Sequence, residues 1–346
     1  MPKQNIKKFK LIILFIASTI LLTACKEEKK DSITKTAFLL DTVITITLYD
    51  SEDENILNDA IDLIDGYENI YSKTLKSSEL FQLNNRTLPH VDGQPSTYRI
   101  SNELSELLKY GLEYSDLSEG KFDVTIEPIS RLWDFKSEHP KIPEEGLIKK
   151  GLESVGHKNI ILEGNLITMK DDTTTIDLGA IAKGYIADRV KDFLQSKGVE
   201  SAIINLGGNV LCIGEKSKGE SFKIGIQKPF ENRNEIIATM DIKDQSVVTS
   251  GIYERYFIKD SKVYHHIISP VTGYPYENNL ISVTIISPHS VDGDGLSTTC
   301  FAMGLKEGME LVNGLENIHG IFITKDYKIH YSQGFFEDIV VTEVED

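Results

Sequence analysis

Residues 36–49, TAFLLDTVITITLY, alternate apolar and polar positions and are rich in β-branched side chains, which predicts a strand. The pattern then changes period. Ile56, Leu57, Ile61, Ile64 and Ile70 recur at helical spacing and predict a helix over 53–72, with a second over 102–117. The stretch 121–135, KFDVTIEPISRLWDF, mixes strand and turn residues around the only Trp, and 137–147, polar with two prolines, reads as a surface loop. Residues 159–169, NIILEGNLITM, predict a hairpin. A helix follows over 180–197, with apolar or aromatic positions at Ile181, Tyr185, Val190, Phe193 and Leu194. Strands are predicted at 202–205, 222–226, 235–241, 246–249, 253–258, 262–268 and 280–287. A further helix starts near Val291 and runs through STTCFAMGL, and two strands lie within 319–331. The mixture predicts an α+β fold: one compact domain with mixed or antiparallel sheets and packed helices, with room for an extra lobe.

The start of the chain has a different pattern. Lys3, Lys7, Lys8 and Lys10 precede an apolar run, Leu11 to Leu22, that is short for a bilayer span. Leu22-Thr23-Ala24-Cys25 follows, similar to the lipobox of bacterial lipoproteins, in which the leader is cut before a Cys that carries lipid. The expectation is therefore a signal peptide over 1–24, lipid on Cys25 and a polar tether over 25–35. The folded domain would cover 36–346, lipid-anchored at the cell membrane on its extracytoplasmic side. Removing the leader removes four lysines and no acids, so the formal charge moves from −16 to −20. That charge excludes a nucleic-acid binder, and an anionic ligand needs local cations, backbone N–H groups or a metal. Cys212 and Cys300 lie far apart without metal-ligand spacing and read as small buried hydrophobes, with a disulfide as the alternative.

Three segments carry candidate chemistry. IDLGAIAKGYIADRV (176–190) looks like a phosphate loop but fits neither G-x-x-x-x-G-K-[ST] nor G-x-G-x-x-G. Its helix N-terminus near Ala180 can face an anion, Lys183 adds charge, and Asp177 either caps the helix or meets a ligand. In VDGDGLSTTC (291–300), Asp294 and Thr298 stand at i and i+4 on one helix face, where a carboxylate and a hydroxyl can share a hard cation such as Mg²⁺. The other reading makes Asp294 an N-terminal helix carboxylate, with Ser297 and Asp292 as nearby polar groups. In YHHIISPVTGYP (264–275), His265 and His266 point to opposite faces of a strand, so one can serve a site while the other serves the core. No third His or Cys stands at zinc spacing. Thr249, Ser250 and Gly251 end a strand where they can bind ligand oxygens or close a hairpin, and NLGGNV (205–210) is a second glycine turn.

In this order, FDVTIEPISRLWDF, IDLGAIAKGYIADRV, INLGGNV, VVTSGIYERYF, HHIISPVTGYP and DGLSTTCFAMG resemble the ApbE family of FAD:protein FMN transferases, from about Phe38 to Ile323. The resemblance implies a T-fold-related domain that takes FAD and Mg²⁺ and moves FMN to a Thr or Ser hydroxyl of an acceptor flavoprotein, releasing AMP. It places the metal among the Ala180 carbonyl, Asp294, Thr298 and, as in some relatives, Ser297. It places FAD against Leu40, Thr74, Lys121, Phe122, Asp123, Asp177, Lys183 and Ile268. His266 is the expected base for the incoming hydroxyl. Three positions depart from the family pattern: Leu40-Asp41-Thr42 replaces Met-Gly-Thr, Gly295 replaces a common Ala, and Ser269 stands where Asp is frequent. The alternatives are a Mg²⁺-dependent FAD pyrophosphatase, with water as acceptor, a flavin-binding lipoprotein without catalysis, and a structural surface lipoprotein.

Overall fold

The computed structural model describes residues 31–232 and 235–343. The expected leader, Cys25 and most of the tether lie outside them. The framework is an eight-stranded antiparallel sheet whose strands neighbour one another in chain order. They are β1 (Ile33–Leu39), β2 (Thr42–Leu48), β3 (Ala202–Leu206), β4 (Asn209–Ile213), β5 (Ser246–Gly251), β6 (Leu280–Ser287), β7 (His319–Thr324) and β8 (Ile329–Tyr331). The other elements are inserted between them, except a short helix, Phe335–Asp338, and a strand, Val340–Glu343, that follow the last one. The helices that matter for the site are α1 (Glu54–Tyr71), α2 (Asn102–Leu117), α3 (Ala182–Ser196), α4 (Ser290–Met303) and α5 (Leu305–Asn313).

The single strand expected over 36–49 is a hairpin. Leu39 pairs with Thr42, leaving Leu40 and Asp41 as a two-residue turn, both at positive φ (54° and 62°). Two left-handed residues are what a type I′ hairpin turn requires, and apolar alternation continues through it, which hides the turn from the pattern. β1 also reaches back to Ile33, into the expected tether. Helices over Glu145–Leu152 and α5 were not legible: the first sits at the edge of the polar loop, and the second is separated from the end of α4 at Met303 by Gly304 alone. The 121–135 stretch forms turns and a short helix, Glu127–Ser130, and no strand.

Burial explains the sequence of the central strands. Every residue of β6 is buried, because α4 covers one face of the sheet and a three-stranded sheet (Phe222–Gln227, Ile236–Ile242, Val340–Glu343) the other. A strand covered on both faces reads as a continuous apolar run. Cys212 lies in the core beneath the three-stranded sheet and Cys300 in the helical core; both are free thiols. A third, smaller core around Trp133 joins the 121–155 insertion to the ribbon Tyr256–Lys259/Lys262–His265. No helix among the described residues is long and apolar enough to cross a membrane.

Candidate active site

The site begins where α3 and α4 cross. Gly184 makes the crossing possible: a Cβ there would stand 2.2 Å from the Ser290 carbonyl oxygen. The helices run antiparallel and cap each other. Asp188 of α3 accepts the Ser290 and Val291 amides at 2.8 and 2.9 Å, and Asp294 of α4 accepts the Gly184 amide at 2.6 Å. These are the amides a helix start leaves without internal partners. Burial pushes the Asp188 carboxyl up to about 6 against the pull of its two amide donors.

α3 starts at Ala182, two residues after the expected Ala180, and its first residue has no side-chain cap of its own. Asp177 is therefore no helix cap. Its Oδ1 accepts the Gly179 amide at 3.0 Å, and its Oδ2 takes Lys73 at 2.5 Å and the Ser130 hydroxyl at 2.8 Å. Burial opposes ionisation of Asp177, but Lys73 and these hydrogen bonds outweigh it and hold the carboxyl below the usual range.

Ala180 lies in the turn that precedes α3, and among the described residues no hydrogen bond reaches its carbonyl oxygen. Asp294 Oδ1 faces the Lys183 ammonium at 3.4 Å. One helical turn on, Thr298 Oγ1 has Ser250 Oγ at 3.0 Å. A backbone carbonyl, a carboxylate and a hydroxyl are all-oxygen donors, the chemistry that suits a hard cation keeping water or phosphate ligands. Among the described residues no three His, Cys, Asp or Glu gather.

The two histidines divide as their strand geometry predicts. His265 is buried against Phe301, with Nε2 3.1 Å from the Tyr276 carbonyl oxygen and Nδ1 facing the Ile267 amide at 3.4 Å. It is a core residue, held down to about 4 mainly by burial. His266 is partly exposed, but its Nδ1 is sealed and has no hydrogen-bond partner. Burial pushes it down to about 3, and the charges of Arg255 and Lys183 add to the shift. The shift favours the neutral ring at physiological pH.

The chain as a whole is similar to known proteins. The ApbE family profile matches residues 40–322. A FAD:protein FMN transferase of Klebsiella pneumoniae (strain 342) is 37% identical over 295 residues, covering 85% of this chain and 89% of the relative. The chain belongs to the ApbE family. The flavin transferase ApbE of Vibrio cholerae superposes with a TM-score of 0.78 at 26% identity, over 89% of this chain and 99% of that one. The ApbE protein of Thermotoga maritima gives 0.77 at 28% identity, with the same coverage.

Within this ApbE chain the remaining expected residues fall into two groups. Thr74 lines an open cleft of about 310 Å³ together with Phe38, Leu39, Asp41, Glu68, Ser72 and Leu75, and Leu40, between two lining residues, donates its amide to Glu68. Lys73, between two lining residues, ties the cleft to Asp177. The residue after the 121–123 segment adjoins Asp177, whose amide donates to the Val124 carbonyl at 2.8 Å, and Tyr276 Oη donates to the Lys121 carbonyl at 2.7 Å. Its side chains point elsewhere. Asp123 is saturated by Thr125 and His157, Lys121 pairs with Glu307, and Phe122 is buried against Tyr114. Ile268 is likewise buried, in the Trp133 core. Ser297 has no exposed surface and faces Ser250, inward from Thr298.

Lys73 and Ser130 are the site residues that sequence reasoning missed. A lysine in a polar turn gives no periodic signal, and its acidic partner lies 104 residues away. Gly295, a departure from the family pattern, has a local cause: a Cβ there would stand 2.2 Å from the Tyr114 ring, whose Oη donates to Asp292.

Proposed function

We propose that this chain transfers the FMN half of FAD to a Thr or Ser hydroxyl of an acceptor protein, with Mg²⁺, and releases AMP. The observation that carries this is the α3–α4 crossing, where Asp294 accepts the Gly184 amide, faces Lys183 and stands one helical turn before Thr298. Mg²⁺ held there would supply positive charge to the pyrophosphate oxygens. Lys183 and the α3 N-terminus add fixed positive potential on the same side. In a chain of formal charge −16 these are the groups that let an anionic substrate approach. The acceptor hydroxyl oxygen forms the new bond to the FMN phosphorus, the bond to the AMP oxygen breaks, and His266 takes the hydroxyl proton. A base held down to about 3 is weak, but an anionic pyrophosphate beside it raises its affinity for a proton. The cleft by Leu40 and Thr74, with Lys73 behind it, receives the rest of the FAD.

The test is incubation with FAD, Mg²⁺ and a Thr-bearing acceptor, read by mass spectrometry. Covalent FMN on the acceptor supports transfer. Free FMN and AMP without labelled acceptor would make the protein a pyrophosphatase instead. Asp294→Asn keeps an oxygen for the Gly184 amide and removes the charge, so it should fold and lose turnover. His266→Ala should lower the rate by roughly 10²- to 10⁴-fold at saturating FAD; an unchanged rate would remove His266 from this role.

We also propose that the mature chain starts at a lipidated Cys25 and works at the extracytoplasmic face of the membrane, on acceptor flavoproteins there. The support is the basic, apolar and Leu-Thr-Ala-Cys succession at the start of the sequence. Cys25→Ser should move the protein from the membrane fraction to the soluble one; retention in the membrane would overturn the anchor.

A further inference from the structure

We infer that Ser250 is a positioning residue that turns the Thr298 hydroxyl proton away from the metal side, so that Thr298 presents lone pairs to the cation. The inference rests on reading Asp294 and Thr298 as metal ligands.

The argument is proton accounting along three hydroxyls. Ser250 Oγ, on β5, lies 2.9 Å from Ser297 Oγ and 3.0 Å from Thr298 Oγ1. Ser297 donates its one proton to the Asp294 carbonyl, 3.1 Å away in its own helix. A hydroxyl has a single proton. Ser297 must therefore accept from Ser250, which uses the Ser250 proton. Ser250 must then accept from Thr298. The order is Thr298 to Ser250 to Ser297 to the Asp294 carbonyl, with each hydroxyl donating once.

The order has a consequence at Thr298. A hydroxyl that ligates a hard cation offers oxygen lone pairs, and its proton must point elsewhere. Without an acceptor at Ser250 the Thr298 hydroxyl is free to rotate, and its proton competes for the site. Strand register holds the acceptor in place: Ser250 pairs with Val283 of β6 inside a run of six paired residues. Ser297 then acts through Ser250 rather than on the cation, which agrees with its complete burial. Partners that orient a metal ligand in this way typically change metal affinity by about 10- to 100-fold when removed.

The experiment is a titration of the full chain with Mn²⁺ alone, with free ion followed by electron paramagnetic resonance. Ser250→Ala should weaken Mn²⁺ binding by about 10- to 100-fold, while Ser250→Thr, which keeps the hydroxyl, should stay within about threefold of wild type. Thr249→Val is the control. It removes the neighbouring 2.8 Å bond to Thr284, a loss of similar size to the strand pair, and should leave Mn²⁺ affinity unchanged. If Ser250→Ala binds like wild type while Asp294→Asn loses binding, the relay is wrong and the metal site stands. If Asp294→Asn and Thr298→Ala both bind like wild type, the metal reading fails and the relay falls with it.

Discussion

Single residues here are set by what they are paired with. Lys73 holds Asp177 ionised beside the cleft that would take an anionic substrate. Lys73→Met should therefore leave an uncompensated carboxylate, lower stability by about 1–3 kcal/mol and raise the KM for FAD. Adding Asp177→Asn should recover most of the stability, as read by urea unfolding; no recovery would mean that Lys73 acts elsewhere. The histidines make a second prediction. Unfolded, both take protons near pH 6.5; folded, burial holds them down to about 4 (His265) and about 3 (His266). Their contribution to stability is complete above pH 6.5 and is lost as pH falls through 4 and 3. Asp188 runs the other way: raised from 3.8 to about 6, it contributes fully below 3.8 and no longer above about 6. Two groups outweigh one, so unfolding free energy should fall between pH 6.5 and 4; a flat profile would contradict the burial of the histidines.

At the scale of elements, the α3–α4 crossing unites structure and chemistry. Each helix start is capped by an aspartate of the other, so the carboxylate that faces the candidate cation also terminates a helix. Asp188→Ala strands two buried amides and should lower stability by about 1–3 kcal/mol; Asp188→Asn, which keeps one acceptor and removes a desolvated charge, should cost less. Gly295→Ala should lower stability by about 1–3 kcal/mol by forcing a methyl group into the Tyr114 ring. An alanine variant that melts with wild type would show that Tyr114 yields. The elements themselves were largely legible. Residues 53–72 and 102–117 have strong helical periodicity and become α1 and α2 almost as read, and 280–287, mostly apolar and β-branched, becomes β6. The β1–β2 turn was hidden, because its two turn residues are an apolar Leu and an Asp rather than the usual Asn-Gly.

At the scale of the molecule, the sheet brings together segments more than a hundred residues apart, and the acidic balance makes a cation matter. Mg²⁺ that binds only the folded chain should raise unfolding free energy by about 2.7 kcal/mol at one hundred times its Kd. Chelator should reverse the gain, and Asp294→Asn should not show it; equal stabilisation of that variant would place Mg²⁺ elsewhere. The mixed α+β class, most helices and strands, the acidic character, the ordered motifs of the family and the i, i+4 spacing of Asp294 and Thr298 are legible in the chain alone, because each depends on local periodicity, residue type or spacing. The fold adds that Asp294 caps α3, that Lys73 and Ser130 hold Asp177, that His265 belongs to the core while His266 Nδ1 has no partner, and that Ser250 stands behind Thr298. Those are contacts between residues distant in sequence, and hydrogen bonds made across a fold leave no period in the chain.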